Sequence, residues 1–149
     1  METKKFEPAF QMIANTIAKI NVVNTINNIS NTQDLHRSFS INVKDLYIEE
    51  HEEYKSAGLD VEIITLIEEK NTENPKKFEM QLIITGIFKD LADTPNDEFE
   101  EKLKLNGVAA LYSIARGCVT NISSQTLAEG KVVLPLVNFI EAKKDLETE

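Results

Sequence analysis

In three runs between Phe39 and Phe88 the apolar residues recur at every second position, and from Thr94 onward they recur every three or four. A period of two places successive side chains on opposite faces of a sheet, whereas a period near 3.6 lines one face of a helix. A chain that runs strands first and helices afterwards is expected to be α+β, with helices on one face of an antiparallel sheet.

The first run sets Phe39, Ile41 and Val43 against Ser38, Ser40, Asn42 and Lys44, which is a half-buried strand with one wet face. Leu46 and Ile48 then continue one position late, so a bulge is expected near Lys44-Asp45. The acidic stretch Glu49 to Glu53 reads as an exposed connection. Leu59 to Lys70 carries Val61, Ile63 and Ile67 on one face and Ile64 and Leu66 on the other. After a hairpin loop at Asn71 to Lys77, Phe78, Met80, Leu82, Ile84 and Phe88 share a face opposite Ile83 and Ile87. Upstream, Phe6, Phe10, Ile13, Ile17 and Ile20 fall at helical spacing with Pro8 in a first turn, which predicts a helix over 1–19. Dense β-branching at Ile20, Val22 and Ile26 then predicts the first strand, before a polar loop from Asn27-Asn28 to Asp34.

The helical part opens at Thr94-Pro95, with Thr94 as N-cap and Asp97, Glu98, Glu100 and Glu101 near the positive end of the dipole. Asn106-Gly107 is expected to break or kink the helix. A second helix runs from about Val108 to Gln125, its apolar stripe formed by Val108, Leu111, Tyr112, Ala115, Cys118, Val119 and Ile122. Lys131 to Leu136 is extended, and a short helix over about Asn138 to Leu146 closes the chain. The reading is one domain over 1–149: an N-terminal helix (1–19), a four-stranded antiparallel sheet of meander or Greek-key type (20–90) and a helical region (94–147).

Composition narrows the function. Sixteen Lys and Arg against 25 Asp and Glu give a formal net charge of -9, which repels phosphate backbones and argues against nucleic acid. The single Cys118 excludes an internal disulfide and falls short of a zinc site. No signal sequence and no membrane-spanning run is present, so a cytoplasmic chain without membrane insertion is expected.

Catalytic patterns are missing: there is no Gly-rich phosphate loop, no His-x-x-x-His pair and no Gly-x-Ser-x-Gly elbow. His36 and His51 fall in predicted loops, and Cys118 reads as a small core residue. The chain is therefore expected not to be an enzyme and to use no cofactor or metal.

The second sheet face poses a question instead. One helix layer covers one face, yet Ile64, Leu66, Ile83 and Ile87 point to the other. Either the N-terminal helix folds across them, or another subunit covers them, or they form a binding surface. The stripe from Leu111 to Ile122 is wide enough to serve both its own sheet and a partner.

An order of short motifs then connects these elements. Phe78-x7-Gly86-Ile87-Phe88 ends the last strand, and Asn106-Gly107 precedes Leu111-Tyr112-Ser-Ile-Ala115-Arg116-Gly-Cys118-Val-Thr120. Leu134-Pro135-Leu-Val137-Asn138-Phe139 follows. This order resembles the SecB family of protein-export chaperones over about Phe78 to Phe139; over the first three strands the similarity is one of topology.

The resemblance implies an α+β homotetramer, a dimer of dimers, that holds unfolded or precursor polypeptides without ATP or metal. It implies client binding at Leu35, Phe39, Ile41, Val43, Leu136, Phe139 and Ile140. It implies an oligomer interface at Leu111, Tyr112, Ala115, Val119 and Ile122. Glu79 and Gln81 correspond to the position where export members dock the SecA motor, although Gln81 stands where that surface carries an acid. Tyr112-Ser113-Ile114 likewise departs from the Phe-Pro-Tyr run of export members. Some SecB-like chaperones instead guard an antitoxin. Sec-dependent export, a dedicated antitoxin or other single protein partner, and a non-chaperone adaptor domain all stay open.

Overall fold

The computed structural model describes residues 8–29 and 34–141. Strands β1 (Gln11–Asn24), β2 (Leu35–Glu50), β3 (Tyr54–Glu69) and β4 (Lys77–Leu91) form one antiparallel sheet in the order β1-β4-β3-β2. Thus β2, β3 and β4 make a meander, and β1 lies at its far edge beside β4. Helix α1 (Asn96–Lys102), a π-helical turn (Leu103–Gly107) and helix α2 (Val108–Thr126) follow.

The core lies between the sheet and α2. Leu59, Val61, Ile63 and Ile67 of β3 and Phe78, Met80, Leu82, Ile84 and Phe88 of β4 are buried on the helix side. Leu111, Ala115 and Val119 meet them from α2, all three fully buried. The alternation in the two central strands therefore assigns the inner face as the sequence implies. The expected bulge also appears, with the β2–β3 register shifting between Val43 and Asp45.

The N-terminal helix does not form over the described residues. Gln11 to Asn24 is a strand paired with β4, and residues 1–7 lie outside the described ones. Two irregularities explain the misleading spacing. The β1–β4 register shifts between Met12 and Ala14 and again between Ile17 and Lys19. Each inserts one residue, so the positions that face α2 become Met12, Asn15, Ile17, Ile20 and Val22. Steps of three and two replace steps of two, and the threes imitate a helix. Because Gln11–Asn24 is a strand of the sheet, it does not fold across the second sheet face as a helix.

Smaller expectations change or sharpen as well. Thr94 does not cap α1: its hydroxyl donates to Asp90 Oδ1 at 3.2 Å, and Pro95 takes the cap position. The break expected at Asn106-Gly107 takes the form of the π-helical turn over Leu103–Gly107, through which the chain passes from α1 to α2. His36 lies inside β2 rather than in a loop, while His51 is in the β2–β3 turn. Of the last expected helix, residues 139–141 are helical and the remainder falls outside the described residues.

The β1–β2 connection crosses the end of the sheet and is fastened to the end of α2. Ala128 N donates to the Asn27 carbonyl at 2.7 Å, and Ile29 N donates to the Glu129 carbonyl at 3.0 Å. Ile26 and Ile29 are thereby delivered into the core. Gly130 makes the approach possible. Its φ is +92°, and a Cβ there would sit 2.2 Å from the Ile29 carbonyl oxygen.

At the other end of the sheet, Asp90 anchors the first helix. Its carboxylate, 2% exposed as a residue, accepts from Lys102 Nζ at 3.0 Å, from the Leu91 N–H at 2.8 Å and from Thr94. The hydrogen bond from Lys102 raises the ammonium pKa above its usual 10.5.

The second face is less apolar than four isoleucine and leucine side chains suggest. Ile64 lies between Ser40 and Gln81, Leu66 between Ser38 and Glu79, and Ile83 between Lys19 and Glu62. These polar stems flank three of the apolar side chains, while Ile87 lies between Ala14 and Gly58; all four are half-buried. Gln81 and Lys44 converge on Glu62, and Thr85 donates to Asp60 Oδ1 at 2.7 Å. Exposed apolar side chains occur on both faces: Val23 and Tyr47 on the second face, and on the helix side, at the sheet edges beside α2, Ile17 and Ile20 of β1 and Phe39 and Val43 of β2.

Candidate functional site

After α2 the chain turns back along the helix as an extended strap, residues 131–138, which carries Pro135 and belongs to none of the strands. A strap without sheet partners needs other hydrogen bonds for its backbone. The helix supplies them from one ridge. Tyr112 donates to the Pro135 carbonyl at 2.5 Å, and Arg116 Nε donates to the Leu134 carbonyl at 3.1 Å. The Thr120 hydroxyl lies 3.2 Å from the Val132 carbonyl and 3.0 Å from that of Arg116. Ser123 Oγ, fully buried, accepts the Val132 N–H at 2.7 Å and reaches the Thr120 carbonyl at 3.2 Å. Positions 112, 116, 120 and 123 are three or four apart, hence one face of α2. Val132 and Leu134 meanwhile drop into the core.

Fixing the strap in this way opens a cleft between it and β2. The cleft measures about 270 Å³ and is lined by Arg37, Phe39, Thr65, Ile67 and the strap residues 132–135. Three aromatic rings continue it. Tyr112 lies between Phe39, at a centroid distance of 6.5 Å, and Phe139, which meets it edge-on at 5.5 Å. Burial pushes the Tyr112 phenol above 10.0, with Arg116 opposing weakly, so the phenol stays protonated and can donate to Pro135.

Of the residues expected to bind clients, Phe39 lines this cleft and Phe139 joins it through the Tyr112 ring. Leu35, Phe39, Ile41 and Val43 share the helix-side face of β2, opposite Glu69, Thr65, Ile63 and Val61. Leu35 and Ile41 are half-buried, while Phe39 and Val43 are exposed. Phe139 packs on Tyr112, whereas Leu136 and Ile140 are 84% and 58% exposed.

The expected interface stripe divides. Leu111, Tyr112, Ala115 and Val119 are buried inside the chain itself, and Ile122 is half-buried. The outward side of α2 presents Ser113, Gly117, Asn121 and Ser124. Glu79 and Gln81 are neighbours on the second sheet face. Glu79 is 3.9 Å from Lys77, and Gln81 Nε2 donates to Glu62 Oε2 at 2.7 Å.

The strap-holding ridge was not visible in sequence beyond Tyr112. Arg116, Thr120 and Ser123 are ordinary helix residues by composition. Their spacing of four and three residues is the signal available in sequence; the returning strap that gives it meaning is not.

Among the described residues no group of three or more His, Cys, Asp and Glu side chains is placed to hold a metal ion. No helix among them is long and apolar enough to cross a membrane. His51 Nε2 lies 2.9 Å from Ser56 Oγ and 4.0 Å from Glu49. Both contacts use one ring nitrogen, and among the described residues no carboxylate pairs with the other.

No protein-family model matches the chain, and no curated protein matches its sequence. The fold does have solved counterparts. The SecB-like chaperone Rv1957 of Mycobacterium tuberculosis, determined with a ChAD peptide from the Rv1956 HigA1 antitoxin, is similar with a TM-score of 0.66 at 12% identity. The similarity covers 87% of this chain and 91% of that one. A protein of unknown function from Streptococcus agalactiae aligns over 85% of this chain and 97% of its own, with a TM-score of 0.47 and 11% identity. The former likeness establishes a SecB-like α+β fold.

Proposed function

We propose that the protein is an ATP-independent holdase that takes an extended segment of an unfolded polypeptide into the cleft between β2 and the strap. The observation that carries the reading is the Phe39–Tyr112–Phe139 row, flanked by exposed Val43, Leu136 and Ile140 on a SecB-like fold. Full burial of one client leucine or phenylalanine contributes about 1.5–3 kcal/mol. Association costs at least ~4 kcal/mol, so one side chain is insufficient and a client must use several. An oligomer, with a dimer of dimers as the expected form, would multiply the clefts available to one client and raise avidity. Apolar contacts of this kind are adaptable and need no nucleotide.

Two client classes fit a cleft of this type. The similar chaperone Rv1957 was solved with an antitoxin peptide, which favours a dedicated protein partner. Export through SecA receives less support, because Gln81 is neutral and is already hydrogen-bonded to Glu62.

The test is fluorescence anisotropy with a labelled protein held unfolded by reduction, in the absence of nucleotide, alongside the same protein folded. Binding of the unfolded form alone supports the reading. Binding of neither form, or of the folded form alone, contradicts it. A SecA tail peptide in a parallel titration separates export from the dedicated-partner role, and light scattering gives the mass of the assembly.

A further inference from the structure

Arginine occurs twice in this chain, and the two side chains are used differently. Arg116 is spent on the Leu134 carbonyl. Arg37 stands on the helix-side face of β2, opposite Ile67 and two residues from Phe39, and lines the cleft. It is exposed, and among the described residues it makes no hydrogen bond or ion pair. The nearby carboxylates are engaged elsewhere. Glu69, diagonal to it on the same face, accepts the Lys76 N–H at 2.9 Å, and Asp34 pairs with Lys70 at 3.3 Å.

An unpaired guanidinium in an apolar cleft is unusual on a chain with a net charge of -9. The general field of such a chain discourages acidic clients, and Arg37 opposes that field at one point. Guanidinium also matches a carboxylate in a planar, two-pronged geometry that an amide or hydroxyl cannot reproduce. We infer that Arg37 sets client choice: the cleft takes an internal, extended segment in which an aspartate or glutamate lies next to aromatic or aliphatic residues. An internal segment is favoured over a chain end because β2 is an edge strand of 16 residues, and its outer side has no neighbour in the sheet along which a segment passing Arg37 can continue. This inference rests on the holdase reading and adds the chemistry of the client.

The test uses the full chain and fluorescein-labelled, amide-ended peptides of the type Ser-Thr-Val-Phe-Glu-Val-Thr-Ser, with Gln or Lys replacing Glu. At low salt the Glu peptide is expected to bind about tenfold more tightly than the Gln peptide, as a charge-assisted pair provides. Arg37→Gln should erase that ratio, and Arg37→Glu should transfer the preference to the Lys peptide. Equal binding of Glu and Gln peptides, or a ratio that survives Arg37→Gln, overturns the inference. The holdase reading then still stands if the Gln peptide binds and Leu136→Asp weakens it. A Gln peptide that gains the same tenfold only when its C-terminal carboxylate is left free would assign Arg37 to chain ends and overturn the internal-segment claim. Failure of every peptide to bind overturns both.

Discussion

The hydroxyl of Tyr112 donates to the carbonyl of Pro135 at 2.5 Å, so one side chain on α2 both fixes the strap and supplies a wall of the cleft. Stability and the proposed binding surface are thereby coupled through Tyr112. Replacing it with phenylalanine keeps the ring against Phe39 and Phe139 but leaves the Pro135 carbonyl to water. Tyr112→Phe is expected to cost about 1 kcal/mol in urea unfolding. Amide exchange near residues 134–137 should also quicken, with β3 and β4 unchanged.

The same residue gives an alkaline dependence. Its folded-state pKa lies above 10.0, so the unfolded chain loses this proton first and stability falls as pH rises past 10. Lys102 acts in the same direction. Its pKa is raised from 10.5, so its stabilising contribution is complete below that pH and lost as pH climbs through the folded value. Denaturant midpoints between pH 9 and 11.5 should decline in the wild type and decline less in Tyr112→Phe combined with Lys102→Met. Parallel slopes in the two proteins would show that these groups do not contribute.

Ser123→Ala probes the other end of the strap. The hydroxyl is fully buried and is the acceptor for the Val132 N–H. Its loss strands that donor, and the expected cost is about 1–3 kcal/mol. Cysteine, a poor acceptor, should not restore stability, whereas threonine should restore part of it if its methyl is accommodated.

Gly130→Ala tests the fastening between the β1–β2 connection and α2. A positive φ and the Ile29 carbonyl both oppose a Cβ, so a loss of about 1–3 kcal/mol is expected in thermal or urea unfolding. Gly117→Ala is the control, since no atom lies within 4 Å of its added carbon and the helix gains propensity.

How far the sequence reveals this structure depends on whether its periods are uninterrupted. β3 and β4 are continuous alternations, and their buried faces follow directly from Val61, Ile63, Leu82 and Ile84. The slip at Lys44 is legible because one clear half-strand lies on each side of it. β1 is not legible, because two shifts within a few residues convert alternation into the spacing of Ile13, Ile17 and Ile20. Strand pairing over such a distance leaves no local trace either: Met12 meets Phe88 only because the connection crosses the sheet. The cleft was partly legible. Phe39 and Phe139 were named together through the family resemblance, but the ridge from Tyr112 to Ser123 needs the returning strap to have meaning. Arg37 is silent for a different reason: among the described residues it makes no hydrogen bond or ion pair, which sequence does not record.

Surface and core roles separate cleanly next to Pro135, which lines the cleft, and Phe139, which packs on Tyr112. Leu136 and Ile140 are exposed and so contribute little to folding, and substitutions at such positions usually fall within ±0.5 kcal/mol. The most direct test of the cleft is therefore light scattering from an aggregating, chemically unfolded client, without nucleotide, in the presence of wild-type protein or of Leu136→Asp/Ile140→Asp. Wild-type protein should suppress the scattering, and the double variant should lose most of that protection while keeping its unfolding midpoint. Equal suppression by the two proteins, or none by the wild type, would contradict the assignment of the cleft to client binding.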